Sequence, residues 1–222
     1  MNRLRPFLPL LLPLATLVGY LLTGSFVLRS ATTLLCLAIV LTASIARQRI
    51  AYSWWIVAAF ALSFAGDYVL GHWGGSFAGF VSGVGLFLLA HLGYLTYCLR
   101  QGRLCRWLLV LLLLTFGTYF IIFLRPAIAD DLTRYAVLAY ILVSCLSLSA
   151  AAGLQLTDPP SRFLFIAGIA SLLFSDLLIA QKRFLHDGTL YALMMPTYFA
   201  SQLLITSAII RLTTTAPPAS GK

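Results

Sequence analysis

The sequence predicts an all-α membrane protein, a bundle of about eight transmembrane helices. Of its 222 residues, 61% are hydrophobic and only 9% are charged, and the mean hydropathy is +0.97. Soluble domains carry roughly a quarter charged residues, so this chain lacks the polar side chains that would cover a surface in water. Apolar runs of about 20 residues recur along the chain, and that length crosses a bilayer as a helix.

Eight such runs, separated by Arg, Lys, Gly, Pro or paired Asp, define the predicted helices. The first contains Pro9 and Pro13, which predict a kinked or re-entrant start, and no clean signal-peptide cleavage site follows it. The second run is short. We expect one transmembrane domain over residues 1–212 and a disordered cytoplasmic tail over 213–222. The predicted helices are 7–25, 31–46, 54–71, 77–99, 107–124, 133–153, 163–180 and 190–211.

The formal net charge of +9 is interpreted as a topology signal, and no nucleic-acid partner is predicted. Ten of the 15 Lys and Arg residues fall on one side of the predicted membrane topology and five on the other. The positive-inside rule then places both termini in the cytoplasm. The four cysteines form no CxxC pair, so neither a disulfide framework nor a zinc site is predicted.

Three ionisable residues are predicted to lie within the membrane: Asp67, His91 and Asp176. The chain has six aspartates and no glutamate, yet two of its carboxylates interrupt apolar runs. Each ionisable group near a bilayer centre costs at least about 2.5–3.5 kcal/mol on insertion scales, which indicates a functional reason for keeping it.

The two aspartates are predicted to lie at the same depth. Each is 13 residues after the start of its predicted helix, about 20 Å along the axis, and the two helices run in the same direction. Two carboxylates in one poorly hydrated cavity cannot both ionise cheaply, so one is expected to retain its proton. One acid and one base at a single site are the reagents of a hydrolysis.

Further polar residues on the predicted helices are candidates for binding or orienting a substrate. His91 is expected to line or orient the site rather than attack. Interhelical hydrogen bonding is the alternative for all of them, and the stronger interpretation for Ser63 and Ser175. These candidates are His91, Tyr94, Tyr198, Gln202, Ser63 and Ser175.

A weak internal repeat relates the two aspartates. "GDYVLG" around Asp67 and "SDLLIA" around Asp176 share a pattern of small residue, Asp and apolar residues, with an offset of 109 residues. The repeat predicts that helices 3–4 and 7–8 pack as two hairpins around a shared cavity.

Four runs of residues resemble the YhhN-type lysoplasmalogenase family. They read "SFAGD" at 63–67, "FLLAHLGYLTY" at 87–97, "GIASLLFSDLLIA" at 168–180 and "YFASQLLI" at 198–205. The third departs by one residue from the strict family spacing. The resemblance extends from about helix 2 to helix 8, and it assigns the family's two membrane aspartates to Asp67 and Asp176 and its helix-4 histidine and tyrosine to His91 and Tyr94.

The resemblance implies an integral membrane hydrolase, of the bacterial inner membrane, that cleaves lysoplasmalogens without a cofactor. These lysophospholipids carry one vinyl-ether chain, and their hydrolysis yields a fatty aldehyde and a glycerophospho-alcohol. A vinyl ether opens when a proton reaches its outer alkene carbon, so a protonated Asp and an ionised Asp suffice and no metal is needed.

Asp176 is favoured as the acid and Asp67 as the base, although the sequence leaves this assignment open. Lys182, Arg183 and His186, predicted in the following loop, are candidate phosphate ligands, and an ordinary solvated loop is the alternative.

Two other classes of function remain open from the sequence. A small proton-coupled transporter or lipid-binding membrane protein could use the same Asp pair as a proton relay, and interrupted helices at the aspartates would favour it. A metal-dependent hydrolase using His91 and both aspartates is less favoured, because zinc sites usually have three or four ligands with several His.

Overall fold

The computed structural model describes residues 5–46 and 52–215 and confirms a bundle of eight membrane-length helices. No strand occurs in these two ranges. The protein is therefore an integral, multi-pass helical membrane protein. Its helices are α1 (Leu11–Thr23, after a 3₁₀ segment Arg5–Leu10), α2 (Phe26–Ala46), α3 (Trp54–Trp73), α4 (Phe77–Gln101), α5 (Arg106–Tyr119, continued by a π segment Phe120–Leu124 and the short helix Arg125–Ala127), α6 (Asp131–Ala152), α7 (Pro159–Phe184) and α8 (Met194–Thr215, after a 3₁₀ turn Tyr191–Leu193).

Three of the differences between the observed and the predicted helix ends concern the candidate site or the predicted tail. Helix α2 begins at Phe26, five residues before its predicted start, so Arg29 belongs to a helix and not to a loop. Helix α7 runs to Phe184, so Lys182 and Arg183 lie in its last turn and not in the loop after it. Helix α8 continues to Thr215, into the segment predicted as a tail, and residues 216–222 lie outside the described part of the chain.

Polar residues before three helices satisfy the free backbone N–H groups of their first turns. The Ser76 hydroxyl accepts from the Gly79 N–H at 3.0 Å at the start of α4, and Asp130 accepts from the Thr133 N–H at 2.7 Å at the start of α6. Asp158 accepts from the Ser161 N–H at 3.0 Å before α7, whose first residue is a proline and needs no partner. These caps fix where the helices that carry the site begin.

Six of the helices close a ring. Contacts run from α2 to α3, α3 to α4, α4 to α6, α6 to α7, α7 to α8, and from α8 back to α2. Helix α1 packs outside the ring against α2, and α5 packs outside it against α6. The two hairpins of the predicted repeat, α3–α4 and α7–α8, are the most extensively packed neighbours.

Glycine allows both hairpins to pack closely. A Cβ on Gly66 of α3 would lie 3.2 Å from the Gly83 carbonyl oxygen of α4 and 3.0 Å from the Phe87 ring. A Cβ on Gly168 of α7 would lie 3.2 Å from the Ser201 carbonyl oxygen of α8. Small residues at such contacts let helix backbones approach where lipid supplies no hydrophobic driving force. The close approach of the two backbones occurs one residue before Asp67.

Candidate functional site

The first part of the site is an ion pair between Asp67 of α3 and Arg29 of α2. The Arg29 Nε donates to both carboxylate oxygens, at 2.9 and 3.2 Å, and Nη2 contacts Oδ1 as well. Nη2 also donates to the backbone oxygen of Asp67 at 3.4 Å. The side chains are 3% and 17% exposed, so the charges of Asp67 and Arg29 neutralise each other largely away from solvent.

The second part is a hydrogen bond between Asp176 of α7 and His91 of α4. The His91 Nε2 lies 2.9 Å from Asp176 Oδ2, and the imidazole is fully buried while the Asp176 side chain is 10% exposed. The other ring nitrogen, Nδ1, has no hydrogen-bond partner among the described residues. Nε2 donates to the carboxylate when it carries the ring proton. His91 therefore contacts one of the two carboxylates directly.

Both carboxylates line one partly open cavity of about 370 Å³ between α2, α3, α4, α7 and α8. Arg29 and Asp67 lie on one of its walls, and Ser175 and Asp176 on another. The two hairpins of the predicted repeat therefore line a common cavity, to which α2 adds an arginine. The sequence predicts that Asp67 and Asp176 share a single proton. The structure instead gives each one its own partner, so a shared proton is not needed to accommodate both.

Basic side chains occupy another part of the same cavity wall. Lys182, Arg183 and His186 follow Asp176 along the chain, and all three line the cavity. The Lys182 Nζ lies 5.7 Å from the centre of the Tyr191 ring, and the Arg183 guanidinium carbon 4.6 Å from that of Phe80. Each cation thus lies near an aromatic ring, and no carboxylate of the described residues forms a salt bridge with Lys182 or Arg183. The arrangement suits a bound anion such as a phosphate.

The remaining predicted residues divide into two groups. Tyr198 and Ser175 line the cavity, where the Tyr198 hydroxyl donates to the Ser63 carbonyl oxygen at 3.3 Å and the Ser175 hydroxyl to the Met194 oxygen at 3.0 Å. The first bond joins α8 to α3, and the second joins α7 to α8. The side chains of Ser63, Tyr94 and Gln202 are fully buried and are not part of the cavity wall. The Tyr94 hydroxyl lies beside the Ser63 and Gln202 side chains.

Two residues of the site are missing from the sequence-based candidates. Arg29 had a detectable signal, because a second helix over 31–46 has 16 residues, fewer than the roughly 20 that cross a bilayer. Extending that helix to normal length includes Arg29. Tyr140 of α6 had no signal among ten tyrosines. Its ring centre lies 5.6 Å from that of His91, and Tyr140 and Asp176 line the same small apolar pocket.

Two geometric criteria bear on the alternative functions. Helices α3 and α7 run without interruption past Asp67 and Asp176, and so lack the broken helices that favour a transporter. Both oxygens of Asp67 accept hydrogen bonds from Arg29, a cation in the place that a metal ion would need. Within residues 5–46 and 52–215, no group of three or more His, Cys, Asp or Glu side chains could hold a metal ion.

Fold and site together define a multi-pass helical membrane protein with two carboxylates, one buried and one largely buried, on one cavity. The sequence model of the YhhN family matches residues 25–209, which include both carboxylates and their partners. The chain therefore belongs to the YhhN family. Comparison with curated proteins and with solved structures gave no match.

Proposed function

We propose that the protein is an intramembrane hydrolase that cleaves the vinyl-ether bond of lysoplasmalogens to a fatty aldehyde and a glycerophospho-alcohol. The observation that carries the proposal is the placement of Asp67 and Asp176 on one cavity that also has a basic wall. Membership of the YhhN family supports the same reaction. The substrate reaches the site from the membrane, and the basic wall receives its phosphate.

In this mechanism the Asp176–His91 pair supplies the proton. The His91 Nε2 is within hydrogen-bond distance of Asp176, so a proton can pass between the imidazole and the carboxylate beside the cavity. Asp176 delivers this proton to the outer carbon of the alkene. The π electrons form the new C–H bond, and the carbon attached to the ether oxygen becomes an oxocarbenium ion.

Asp67 is the carboxylate that stabilises this cation and activates water. Its ion pair with Arg29 fixes the carboxylate in place, and a fixed charge in a water-poor site acts on developing charge without reorganisation. Water adds to the oxocarbenium carbon and loses a proton to Asp67, which gives a hemiacetal. The hemiacetal then collapses: its hydroxyl proton returns to Asp176, the proton on Asp67 goes to the departing glycerol oxygen, and the aldehyde is released.

An aldehyde-release assay on purified protein in detergent tests the reaction. A lysoplasmalogen is expected to yield long-chain aldehyde, whereas a lysophospholipid with the same chain in an ester bond is expected to remain intact. Cleavage of the ester lipid at a comparable rate, or no aldehyde at all, would contradict the proposal. In the second case, proton-linked lipid flux in proteoliposomes would favour the transporter alternative.

A further inference from the structure

Three polar side chains from different helices of the ring lie next to each other outside the cavity. They are Ser63 of α3, Tyr94 of α4 and Gln202 of α8, and we term them the inner polar cluster. Each is 0% exposed, and the Tyr94 hydroxyl lies beside the other two side chains. None of the three lines the cavity. The cluster is therefore a polar site separate from the two carboxylates.

The inner polar cluster lies about one helical turn from the cavity. In α3, Ser63 precedes the cavity-lining Asp67 by four residues, and in α8, which runs in the opposite direction, Gln202 follows the cavity-lining Tyr198 by four. Four residues advance a helix by about 6 Å. The Tyr198 hydroxyl donates to the Ser63 carbonyl oxygen at 3.3 Å. Tyr198 thus contacts both the cavity and the cluster.

The side chains of the cluster have more hydrogen-bonding capacity than the protein uses. Ser63 Oγ, Tyr94 Oη and both amide atoms of Gln202 have no hydrogen-bond partner among the described residues. The amide brings two N–H donors and an acceptor oxygen, and each hydroxyl is both a donor and an acceptor. Buried polar groups of this kind commonly bind an ordered water, which makes about three hydrogen bonds. Three side chains from three helices supply that number.

The chemistry of the cluster favours water over an ion or a part of the lipid. Its members are neutral, so they do not compensate the charge of a buried ion. Hydroxyl and amide groups together present donors and acceptors, which matches a molecule that also has both. Tyr198 lies between the cluster and the cavity, where the proposed substrate binds. Water is the ligand that fits both the chemistry and the position.

We infer that the inner polar cluster binds an internal water molecule and supplies it to Asp67 for the reaction. The water site stands on the cluster itself, whereas the use of this water rests on the proposed function. Each hydrolysis consumes one water, and a lipid that fills the cavity displaces water from it. A water held one turn from Asp67 remains available behind the bound lipid and reaches the carboxylate past Tyr198. Ser63, Tyr94 and Gln202 are then positioning residues for water and do not contact the substrate.

Radiolytic hydroxyl-radical footprinting of the full-length protein in lipid nanodiscs tests for the water, because radicals formed from a bound water oxidise the side chains next to it. Tyr94 is expected to be oxidised although it is fully buried. Tyr97 is the internal control, because it is equally buried on the same helix and stacks on Phe165 with 5.3 Å between ring centres. Gln202→Leu is expected to abolish the oxidation of Tyr94. Ser63→Ala, a smaller change, repeats the test if the first variant folds poorly.

Aldehyde-release kinetics test the use of the water. Gln202→Leu is expected to lower kcat by about 10–100-fold with KM unchanged, since a misplaced reactant slows the chemical step without weakening lipid binding. Thr206→Val is the matched control on α8. Thr206 is equally buried, but its hydroxyl already donates to the Gln202 carbonyl oxygen of the same helix at 2.7 Å. This variant is expected to keep both the oxidation of Tyr94 and the wild-type kcat.

The outcomes separate this inference from the proposed reaction. Tyr94 as unreactive as Tyr97, or equal oxidation of Tyr94 in wild type, Gln202→Leu and Ser63→Ala, would overturn the water site and identify direct interhelical hydrogen bonds. Loss of Tyr94 oxidation with an unchanged kcat would overturn the use of this water in the reaction. Cluster-dependent oxidation without any aldehyde release from vinyl-ether lipids would support the water site and contradict the hydrolase. Aldehyde release with an unreactive Tyr94 would do the reverse.

Discussion

Asp67 and Asp176 lie on the corresponding helices of two hairpins, and their partners differ. Asp67 is paired with Arg29, whose guanidinium has donors only, whereas Asp176 is hydrogen-bonded to His91, whose imidazole has one ring nitrogen that donates and one that accepts when neutral. A permanently compensated carboxylate suits a fixed negative charge, and a carboxylate beside an imidazole suits proton transfer. The weak repeat thus produced two similar positions, and the partner residues make them chemically different.

The largest expected effect comes from neutralising either carboxylate. Asp67→Asn and Asp176→Asn are each expected to lower aldehyde release by about 10²–10⁴-fold, the range of positioned acid–base groups, with normal expression. Asp187→Asn, in an exposed loop where the carboxylate accepts hydrogen bonds from the Thr189 N–H and hydroxyl, is the control and should keep full activity. Full activity in either site variant would end the acid–base assignment.

Deuterium exchange distinguishes the two carboxylates. In D₂O, Asp67→Asn retains the acid but loses the base, so recovered substrate is expected to contain deuterium at its outer alkene carbon. Asp176→Asn is expected to return unlabelled substrate. The opposite pattern in mass spectra would exchange the two roles.

The next effect is on stability and concerns the Asp67–Arg29 pair. Arg29→Gln leaves a buried carboxylate without its counter-charge, and breaking a buried pair in this way costs about 3–5 kcal/mol. Thermal unfolding in detergent should show a marked drop for Arg29→Gln and recovery in the double variant Arg29→Gln/Asp67→Asn, while both stay inactive. A double variant as unstable as the single one would show that Arg29 stabilises the bundle by packing and not by its charge.

A smaller effect is expected from His91→Gln, because glutamine keeps a donor but does not exchange protons. The predicted loss is about 10–100-fold in kcat with KM little changed, since His91 does not line the cavity. His72→Gln provides the matched control on α3, outside the cavity wall. An equal loss in both variants, or a change confined to KM, would contradict a role for His91 in proton transfer.

The smallest effect belongs to a carboxylate outside the membrane-spanning segments. Hydrogen bonds from Arg211 lower the pKa of Asp158 to about 2, with a further contribution from Ser161. Because the folded-state pKa lies below the ordinary value, this pair stabilises the protein above about pH 4, and the stabilisation is lost as the pH falls through 4 towards 2. The melting temperature of Asp158→Asn should show less pH dependence between pH 5 and 2 than that of the wild type. Identical profiles would show that the pair is energetically neutral, as many exposed pairs are.

The helix count and the two carboxylates followed from the sequence because both depend on local information. An apolar run of membrane length forms a helix wherever it lies, and a charge inside such a run stands out against its neighbours. The end of a helix is harder to predict. Arg29 was assigned to a loop because arginine normally marks the end of a span, and its compensating partner lies 38 residues away.

The sequence by itself determined that this is a multi-pass membrane protein, which family it resembles, and that Asp67 and Asp176 interrupt its apolar helices. Only the tertiary structure decided which partner each aspartate has, and that both aspartates line one cavity together with Lys182 and Arg183. Hydrophobicity accumulates along a short stretch of chain and can be summed residue by residue. Partner choice depends on which helices become neighbours in the closed ring, and that arrangement is set by packing among segments far apart in the sequence.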